Sequence, residues 1–178
     1  MAWTDPGQDA IRLAGGRRLY FGYGSNLFWP QMSARCPDAA FLCRAVLPDH
    51  VLAFTRDSPA RGCGVADAVW RRFARLHGVL YAVSDADIAT LDRLEGHLPG
   101  VDAYRRVTRR VTLIEGPSEM AAEIIAETYV VANKVPHVPP TAEYLQLIIE
   151  GARAWQLPAD HIAAIEAVRS VEQILSAR

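Results

Sequence analysis

The segment that decides the fold reads LYFGYGSNLFWPQM and spans Leu19 to Met32. A compact apolar and aromatic run at residues 18–23 stands directly before Gly24-Ser25-Asn26, and apolar residues return at Leu27. The run is typical of a buried strand, and Gly-Ser-Asn is typical of a sharp turn at its end. The segment therefore predicts a core strand that ends abruptly and is followed by helix-compatible residues.

The turn at Gly24-Ser25-Asn26 has two interpretations. Glycine tolerates close approach and positive φ, so several backbone amides at the strand end could remain unpaired and bind an anion or a carbonyl oxygen. Alternatively, this is a plain strand-to-helix turn in which Ser25 or Asn26 serves as the N-cap. Spacing alone favours the plain turn and leaves the binding role open.

The composition indicates one globular domain. The chain has 178 residues, 51% of them hydrophobic and 22% charged, with a net charge of −1. These values argue against disorder and against a nucleic-acid-binding surface. We expect a loose leader at residues 1–16, which ends in Gly15-Gly16, and a single domain at residues 17–178. Since no apolar run reaches the roughly 18 residues of a membrane span and the N-terminus lacks a signal-peptide core, we expect a cytoplasmic protein with no membrane partner.

The metal-binding residue types show no ligand pattern. The three cysteines form no C-x-x-C pair, so we expect reduced, buried thiols at Cys36, Cys43 and Cys63. The five histidines are scattered, with no pair at the i,i+4 spacing that would place two ligands on one helix face. We therefore expect no metal site.

The order of predicted elements indicates an α+β domain around a mixed, strongly curved sheet. Beyond the first strand, we predict strands at residues 39–47, 51–55, 75–83, 104–114 and 122–131. Residues 56–64 are predicted to form a mobile surface loop, and residues 115–118 a hairpin turn. Ser84 begins a capping box that predicts a helix over Asp85–Glu95, which Gly96 ends, and Thr141 and Pro158 each predict the start of a later helix.

Glu95 is the first candidate for chemistry. On the helix after Ser84 it shares the inward face with Ile88 and Leu91, while Asp92 and Arg93 turn away from it. Burial and the C-terminal end of the helix dipole should both raise the pKa of the Glu95 carboxyl. Such a group could act as general base and acid near neutral pH. The alternative is a glutamate that extends into solvent at a frayed helix end.

Two further sets are weaker candidates. Seven arginines could steer a carboxylated substrate, although a solvated face is the simpler explanation: Arg71, Arg72, Arg75, Arg105, Arg106, Arg109 and Arg110. Tyr104, Tyr129 and Tyr144 could supply hydroxyl groups to a pocket. The alternative is that each packs in the core with one hydrogen bond at its tip.

Two motifs together resemble the γ-glutamylcyclotransferase (AIG2-like) family. The run Tyr23-Gly24-Ser25-Asn26-Leu27 is similar to the family's Y-G-S-N-L signature, and Leu91-Asp92-Arg93-Leu94-Glu95-Gly96 is similar to its L-D-x-x-E-G segment. Weaker matches follow the same order: Gly62 to Ala66, Tyr104, Thr128-Tyr129, Pro140 to Tyr144, and Gly151-Ala152. The resemblance covers more than four fifths of the chain, from Leu19 to about Ile165.

The resemblance implies a closed six-stranded mixed β-barrel with peripheral helices and a reaction that needs no cofactor and no metal. The enzyme would cyclise a γ-glutamyl amide to 5-oxoproline and release the free amine. By position, Glu95 matches the catalytic acid/base. The residues that match the glutamyl-binding loop are Tyr23, Gly24, Ser25, Asn26 and Leu27, and those that match pocket tyrosines are Tyr104, Tyr129 and Tyr144. The resemblance alone also suggests a homodimer.

Three functions stay open at this point. In the first, the substrate is a γ-glutamyl amino acid or dipeptide. In the second, the enzyme removes a γ-glutamyl protecting group from a larger biosynthetic intermediate. In the third, the barrel binds a ligand without turnover. Glu95 argues against the last, because a pure binder has no need of a desolvated acid. Residues 59–64 form the segment where substrate range would most easily change, and residues 1–16 have no counterpart in the family pattern.

Overall fold

The computed structural model of the chain describes residues 16–116 and 120–177. The leader expected at residues 1–16 lies outside the described residues except for Gly16, and the hairpin turn expected at residues 115–118 lies partly outside them. The strands are β1 Arg18–Gly22, β2 Ala40–Ser58, β3 Cys63–Val83, β4 His97–Leu98, β5 Val101–Asp102, β6 Tyr104–Ile114 and β7 Glu123–Val131. The helices are α1 Trp29–Arg35, α2 Asp85–Glu95, α3 Ala142–Ala154, α4 Ala159–Glu166 and α5 Val171–Ser176, and a single 3-10 turn spans Ser25–Leu27.

Five of these strands close into a mixed barrel in the order β1, β3, β2, β6 and β7. The barrel closes where β1 runs parallel to β7, with Tyr20 opposite Glu127, while its other neighbouring strands are antiparallel. The short strands β4 and β5 pair with each other outside it. The α+β class and the closed mixed barrel are confirmed, with five strands among the described residues where six were expected.

The difference in strand count arises in the long hairpin of β2 and β3. The strands predicted at residues 39–47 and 51–55 are one strand that continues through Pro48 and Asp49, and a bulge between Pro48 and His50 absorbs the interruption. Asp49 takes a φ of 56°, and its carboxylate accepts a 2.7 Å hydrogen bond from the amide of Phe73 on β3. The predicted loop at residues 56–64 is likewise wrong, because pairing continues to Ser58 opposite Cys63 and leaves only a tight turn.

Helix α2 begins and ends at the predicted residues. The Ser84 hydroxyl accepts from the Asp87 amide at 3.1 Å, and the Asp87 carboxylate accepts from the Ser84 amide at 3.0 Å. Gly96 ends the helix with a φ of 69°, and a Cβ at this position would lie 2.7 Å from that of Ala103. Local capping chemistry thus places Glu95 at the last position of α2.

Helix α3 packs against the turn that follows β1. A Cβ on Gly151 would lie 2.4 Å from the carbonyl carbon of Leu27, so only glycine permits this contact. Trp155, just beyond the helix, donates from Nε1 to the Leu27 carbonyl oxygen at 2.7 Å. The predicted N-cap of α3 at Thr141 is confirmed, since the Tyr144 amide donates to the Thr141 hydroxyl at 3.2 Å. The turn after the first strand is therefore held in place by α3 and Trp155.

The cysteines Cys36, Cys43 and Cys63 are free and buried, as predicted. None of the helices within residues 16–116 and 120–177 has the length and apolar content that a membrane span requires.

Candidate active site

A small hollow opens at the end of β1. The barrel strands, the turn after β1, the end of α2 and the start of α3 all contribute to its wall. The lining residues are Tyr20, Tyr23, Gly24, Ser25, Asn26, Ala66, Glu95, Tyr104, Tyr129 and Tyr144. Eight of the nine residues predicted for the site lie in this wall, although they come from five separate parts of the chain.

Glu95 is the one residue of this wall that has a carboxylate. Its side chain is 18% exposed, so it does not extend into bulk solvent. Its Oε1 lies 3.4 Å from Nδ2 of Asn26 and 3.5 Å from Nη1 of Arg35. Burial raises the pKa of the carboxyl above its ordinary value, and Arg35, the Asn26 amide and the guanidinium groups of Arg61 and Arg56 offset this in part. A raised pKa suits a group that must take up and return a proton.

The side chain of Asn26 connects the turn to Glu95. Its Nδ2 also donates to the Tyr20 hydroxyl at 2.9 Å, and its Oδ1 accepts from Arg35 at 2.8 Å and from Gln31 at 3.2 Å. Asn26 is only 5% exposed. These bonds fix the amide on the side of the hollow where the glutamate carboxyl stands.

The turn that lines the hollow contains unpaired backbone amides. The amides of Leu27 and Phe28 donate to the carbonyls of Gly24 and Ser25. In the described part of the chain, the amides of Ser25 and Asn26 donate to no acceptor. Neither residue caps a helix, because Phe28 precedes α1. The plain N-cap interpretation is therefore wrong, and two donors are available to a bound oxygen atom.

The predicted tyrosines form walls, and their hydroxyl groups hold the barrel strands in place. The Tyr104 hydroxyl donates to the Ala66 carbonyl at 2.6 Å, and the Tyr144 hydroxyl accepts from the Ala66 amide at 3.2 Å. Tyr23 donates to the Tyr129 carbonyl at 2.6 Å and accepts from the amide of Ala68 at 3.1 Å. Burial raises the pKa of the Tyr23, Tyr104 and Tyr144 hydroxyls, so they stay protonated at neutral pH. Their arrangement matches packing with a hydrogen bond at the tip.

Asp92 binds a tyrosine and an arginine of the barrel. It is half-buried, and its Oδ1 accepts from the Tyr129 hydroxyl at 2.8 Å. Its Oδ2 accepts from Arg106 at 2.8 Å, which anchors the last turn of α2 to β6. Asp92 therefore contacts the barrel strands β6 and β7 instead of extending into solvent.

Leu27 and the seven predicted arginines lie away from the hollow. Leu27 is fully buried, and its backbone contacts α3 rather than the wall. Arg106 pairs with Asp92 and lies 3.3 Å from Glu127, and the other six predicted arginines also lie outside this wall. Sequence reasoning missed Tyr20, Ala66 and Arg35. A polar-tipped aromatic in an otherwise apolar strand was a usable signal for Tyr20, whereas Arg35 reaches the site only through the fold.

Comparisons with known proteins show similarity to one family. The AIG2-like family matches residues 75–165. The γ-glutamylcyclotransferases of Mus musculus and Homo sapiens are each 30% identical to this chain, over 158 and 154 residues. These matches cover 86% and 84% of this chain and 80% and 78% of those proteins. A solved γ-glutamyl cyclotransferase structure superposes with a TM-score of 0.76 at 27% identity, covering 90% of this chain and 98% of that one.

Proposed function

The chain belongs to the γ-glutamylcyclotransferase family, and we propose that it converts a γ-glutamyl amino acid or dipeptide into 5-oxoproline and the free amine. It is an enzyme of the γ-glutamylcyclotransferase type. One observation supports the proposal for its site: Glu95 lines the same hollow as Ser25 and Asn26, whose backbone amides are unpaired among the described residues.

The first step is a proton transfer. The α-amino group of the substrate is the nucleophile, and at neutral pH it is protonated and carries no free electron pair. Glu95 accepts this proton, which its raised pKa permits. The amine nitrogen then attacks the γ-carbonyl carbon within the same molecule, and a five-membered ring closes. Such an intramolecular attack has a high effective molarity when the reacting atoms are held close.

The turn after β1 stabilises the charge that develops on the γ-carbonyl oxygen. The amides of Ser25 and Asn26 donate to this oxygen in the tetrahedral intermediate, and a well-aimed donor of this kind contributes about 3 kcal/mol. The protonated Glu95 gives its proton to the nitrogen of the scissile amide. The ring nitrogen still carries two hydrogens after the attack, so it returns one proton to the Glu95 carboxylate, from which this proton passes to the departing amine. The bond between the γ-carbon and this nitrogen breaks, and 5-oxoproline and the amine leave without consumption of water.

The aromatic walls hold the folded-back substrate. Tyr23, Tyr104 and Tyr144 are nearly fully buried, and their hydroxyl groups are bonded to the backbone. Rings fixed in this way leave little freedom to the glutamyl group and exclude water from the reacting carbonyl.

The experiment that tests this function is detection of 5-oxoproline by mass spectrometry from γ-glutamyl-alanine and a γ-glutamyl dipeptide. We expect equimolar 5-oxoproline and free amine. Two matched controls should give none: α-glutamyl-alanine, whose amide is on the wrong carboxyl, and N-acetyl-γ-glutamyl-alanine, whose amine cannot attack. Release of free glutamate, or no product from either γ-glutamyl donor, would contradict the proposal.

A larger leaving group is the second candidate. Outside the hollow lies a larger, open cleft, which would leave room for a bulky acyl or amine intermediate protected by a γ-glutamyl group. Adding a long γ-glutamyl amine to the same panel of donors distinguishes a small leaving group from a large one, because the preferred donor will show the higher kcat/KM.

A further inference from the structure

We propose that Arg56 and Arg61 form a subsite that binds a carboxylate on the leaving amine, so that the enzyme prefers γ-glutamyl amides whose amine carries an acid group. This inference rests on the proposed function. It assigns a specificity role to two residues that lie outside the hollow where the chemistry occurs.

The cleft outside the hollow is where the leaving amine must lie. The two spaces share four wall residues: Ser25, Glu95, Tyr104 and Tyr144. Because a glutamyl group in the hollow directs its γ-carbonyl toward Glu95, the substituent on the amide nitrogen extends past this residue into the cleft. Among the described residues that line the cleft, Glu95 is the one acid, whereas four arginines face the same space.

Arg61 is held in place without an ionic partner. Its guanidinium carbon lies 4.7 Å from the centroid of the Tyr144 ring, and its Nη2 donates to Oε1 of Gln31 at 3.1 Å. Gln31 in turn donates to the Ser25 hydroxyl at 3.0 Å, which connects Arg61 to the turn after β1. No carboxylate within the described ranges lies at ion-pair distance from Arg61. Most of its donors are therefore available to a ligand.

Arg56 is the second arginine of the proposed subsite. It lies near the end of β2, is half-buried, and its guanidinium carbon stands 5.9 Å from the centroid of the Tyr104 ring. Within residues 16–116 and 120–177 its side chain has neither an ion pair nor a hydrogen bond. Glu95 acts on this guanidinium group only through a Coulomb interaction at longer range than an ion pair, and a carboxylate matches its planar donor geometry.

The other two arginines of the cleft have different environments. Arg35 already bonds Asn26 and stands beside Glu95, so it belongs to the hollow. Arg93 is exposed on α2 and donates to the Thr90 hydroxyl of its own helix at 2.9 Å. Arg56 and Arg61 are thus the two arginines of the cleft that stack on shared wall residues and are free to bind an anion. Arg93 provides a matched control from the same cleft.

The test compares two donors that differ in one group, γ-glutamyl-alanine and γ-glutamyl-alaninamide, in which a neutral amide replaces the carboxylate. For the wild-type enzyme we expect kcat/KM to be at least about tenfold higher for the acid, the effect of one charge-assisted hydrogen bond. Arg56→Gln and Arg61→Gln should each lower this preference, mainly through KM for the acid. Arg61→Lys should keep part of it, and Arg93→Gln should leave it unchanged.

The design separates failure of this inference from failure of the proposed function. The alaninamide substrate is the internal control, because misfolding or a change in the pKa of Glu95 alters kcat/KM for both donors by a similar factor, whereas loss of the subsite lowers the ratio of acid to amide. Equal kcat/KM for the two donors in the wild type, or variants that lower both equally, would overturn the subsite and leave cyclisation intact. Absence of 5-oxoproline from both donors would overturn the function and the subsite together.

Discussion

Nδ2 of Asn26 lies 3.4 Å from Oε1 of Glu95, although the two residues are 69 positions apart in the chain. This long hydrogen bond joins the turn after β1 to the end of α2. The proposed oxyanion donors and the proposed proton carrier are therefore parts of one network, and a change on either side should alter the other.

Replacement of Arg35 should change the pH dependence of the reaction. The Arg35 guanidinium lies 3.5 Å from Glu95 and lowers the pKa of this carboxyl against the larger effect of burial. Arg35→Gln removes that charge, so the pKa of Glu95 rises and a higher pH is needed to ionise the base. We expect the acid limb of the kcat/KM profile to move to higher pH. The profile of Arg109→Gln, a variant on the outer part of β6, should match that of the wild type, and an unmoved limb in Arg35→Gln would contradict the role of this contact.

A methyl group at position 151 should disturb the contact between α3 and the turn. In Gly151→Ala the added Cβ would meet the Leu27 carbonyl carbon at 2.4 Å, so the helix or the turn must shift. Overpacking of this kind costs about 1 to 3 kcal/mol, measured as a loss in the free energy of unfolding by urea titration. Glu150→Ala changes an exposed residue of the same helix and should stay within about 0.5 kcal/mol of the wild type. Equal stability of the two variants would argue against close packing here.

Asp67 should be important for the stability of the barrel. It is fully buried and accepts hydrogen bonds from the Thr55 hydroxyl at 2.6 Å, the Val131 amide at 2.9 Å, and Lys134. Asp67→Ala leaves these donors without an acceptor and should lower the free energy of unfolding by about 3 kcal/mol. Glu123→Ala breaks an exposed ion pair with Arg110 and should cost about 1 kcal/mol or less. Similar losses in both variants would be inconsistent with a buried network.

His161 should make the protein less stable in acid. Burial, with the neighbouring His77 as the second cause, lowers the pKa of His161 to about 4. The unfolded chain takes up this proton near pH 6.5, before the folded chain does, so stability is complete above pH 6.5 and falls as the pH decreases toward 4. His161→Phe should flatten this part of the stability curve, measured by thermal unfolding across the pH range, whereas the exposed His137→Gln should not. A wild-type slope retained in His161→Phe would contradict this assignment.

The features that depend on local chemistry could be predicted from the sequence. The Ser84 capping box, the glycine at position 96 and the helical spacing of Ile88, Leu91 and Glu95 together define α2 and the inward position of its last residue. All of these signals lie within thirteen residues, so no knowledge of distant parts of the chain is needed.

The long hairpin of β2 and β3 could not be predicted, because it contains residues that usually interrupt strands. Pro48-Asp49 and the glycines at 62 and 64 indicated breaks, yet pairing along the whole length of β2 and β3 overrides these local preferences, and bulges absorb the irregular positions. The roles of Arg35 and Arg61 were hidden for another reason. Each reaches the site through contacts to residues outside its own element, and local sequence patterns carry no signal for them.

The measurement that tests the central claim most directly is 5-oxoproline formation by Glu95→Gln, combined with the binding of γ-glutamyl-alanine followed by calorimetry. Glutamine keeps the size and polarity of the side chain but cannot accept the proton of the α-amine. We expect turnover to fall by about 10² to 10⁴ while the affinity for the substrate is largely kept. Unchanged cyclisation by the variant, with substrate still bound, would show that Glu95 is not the proton carrier.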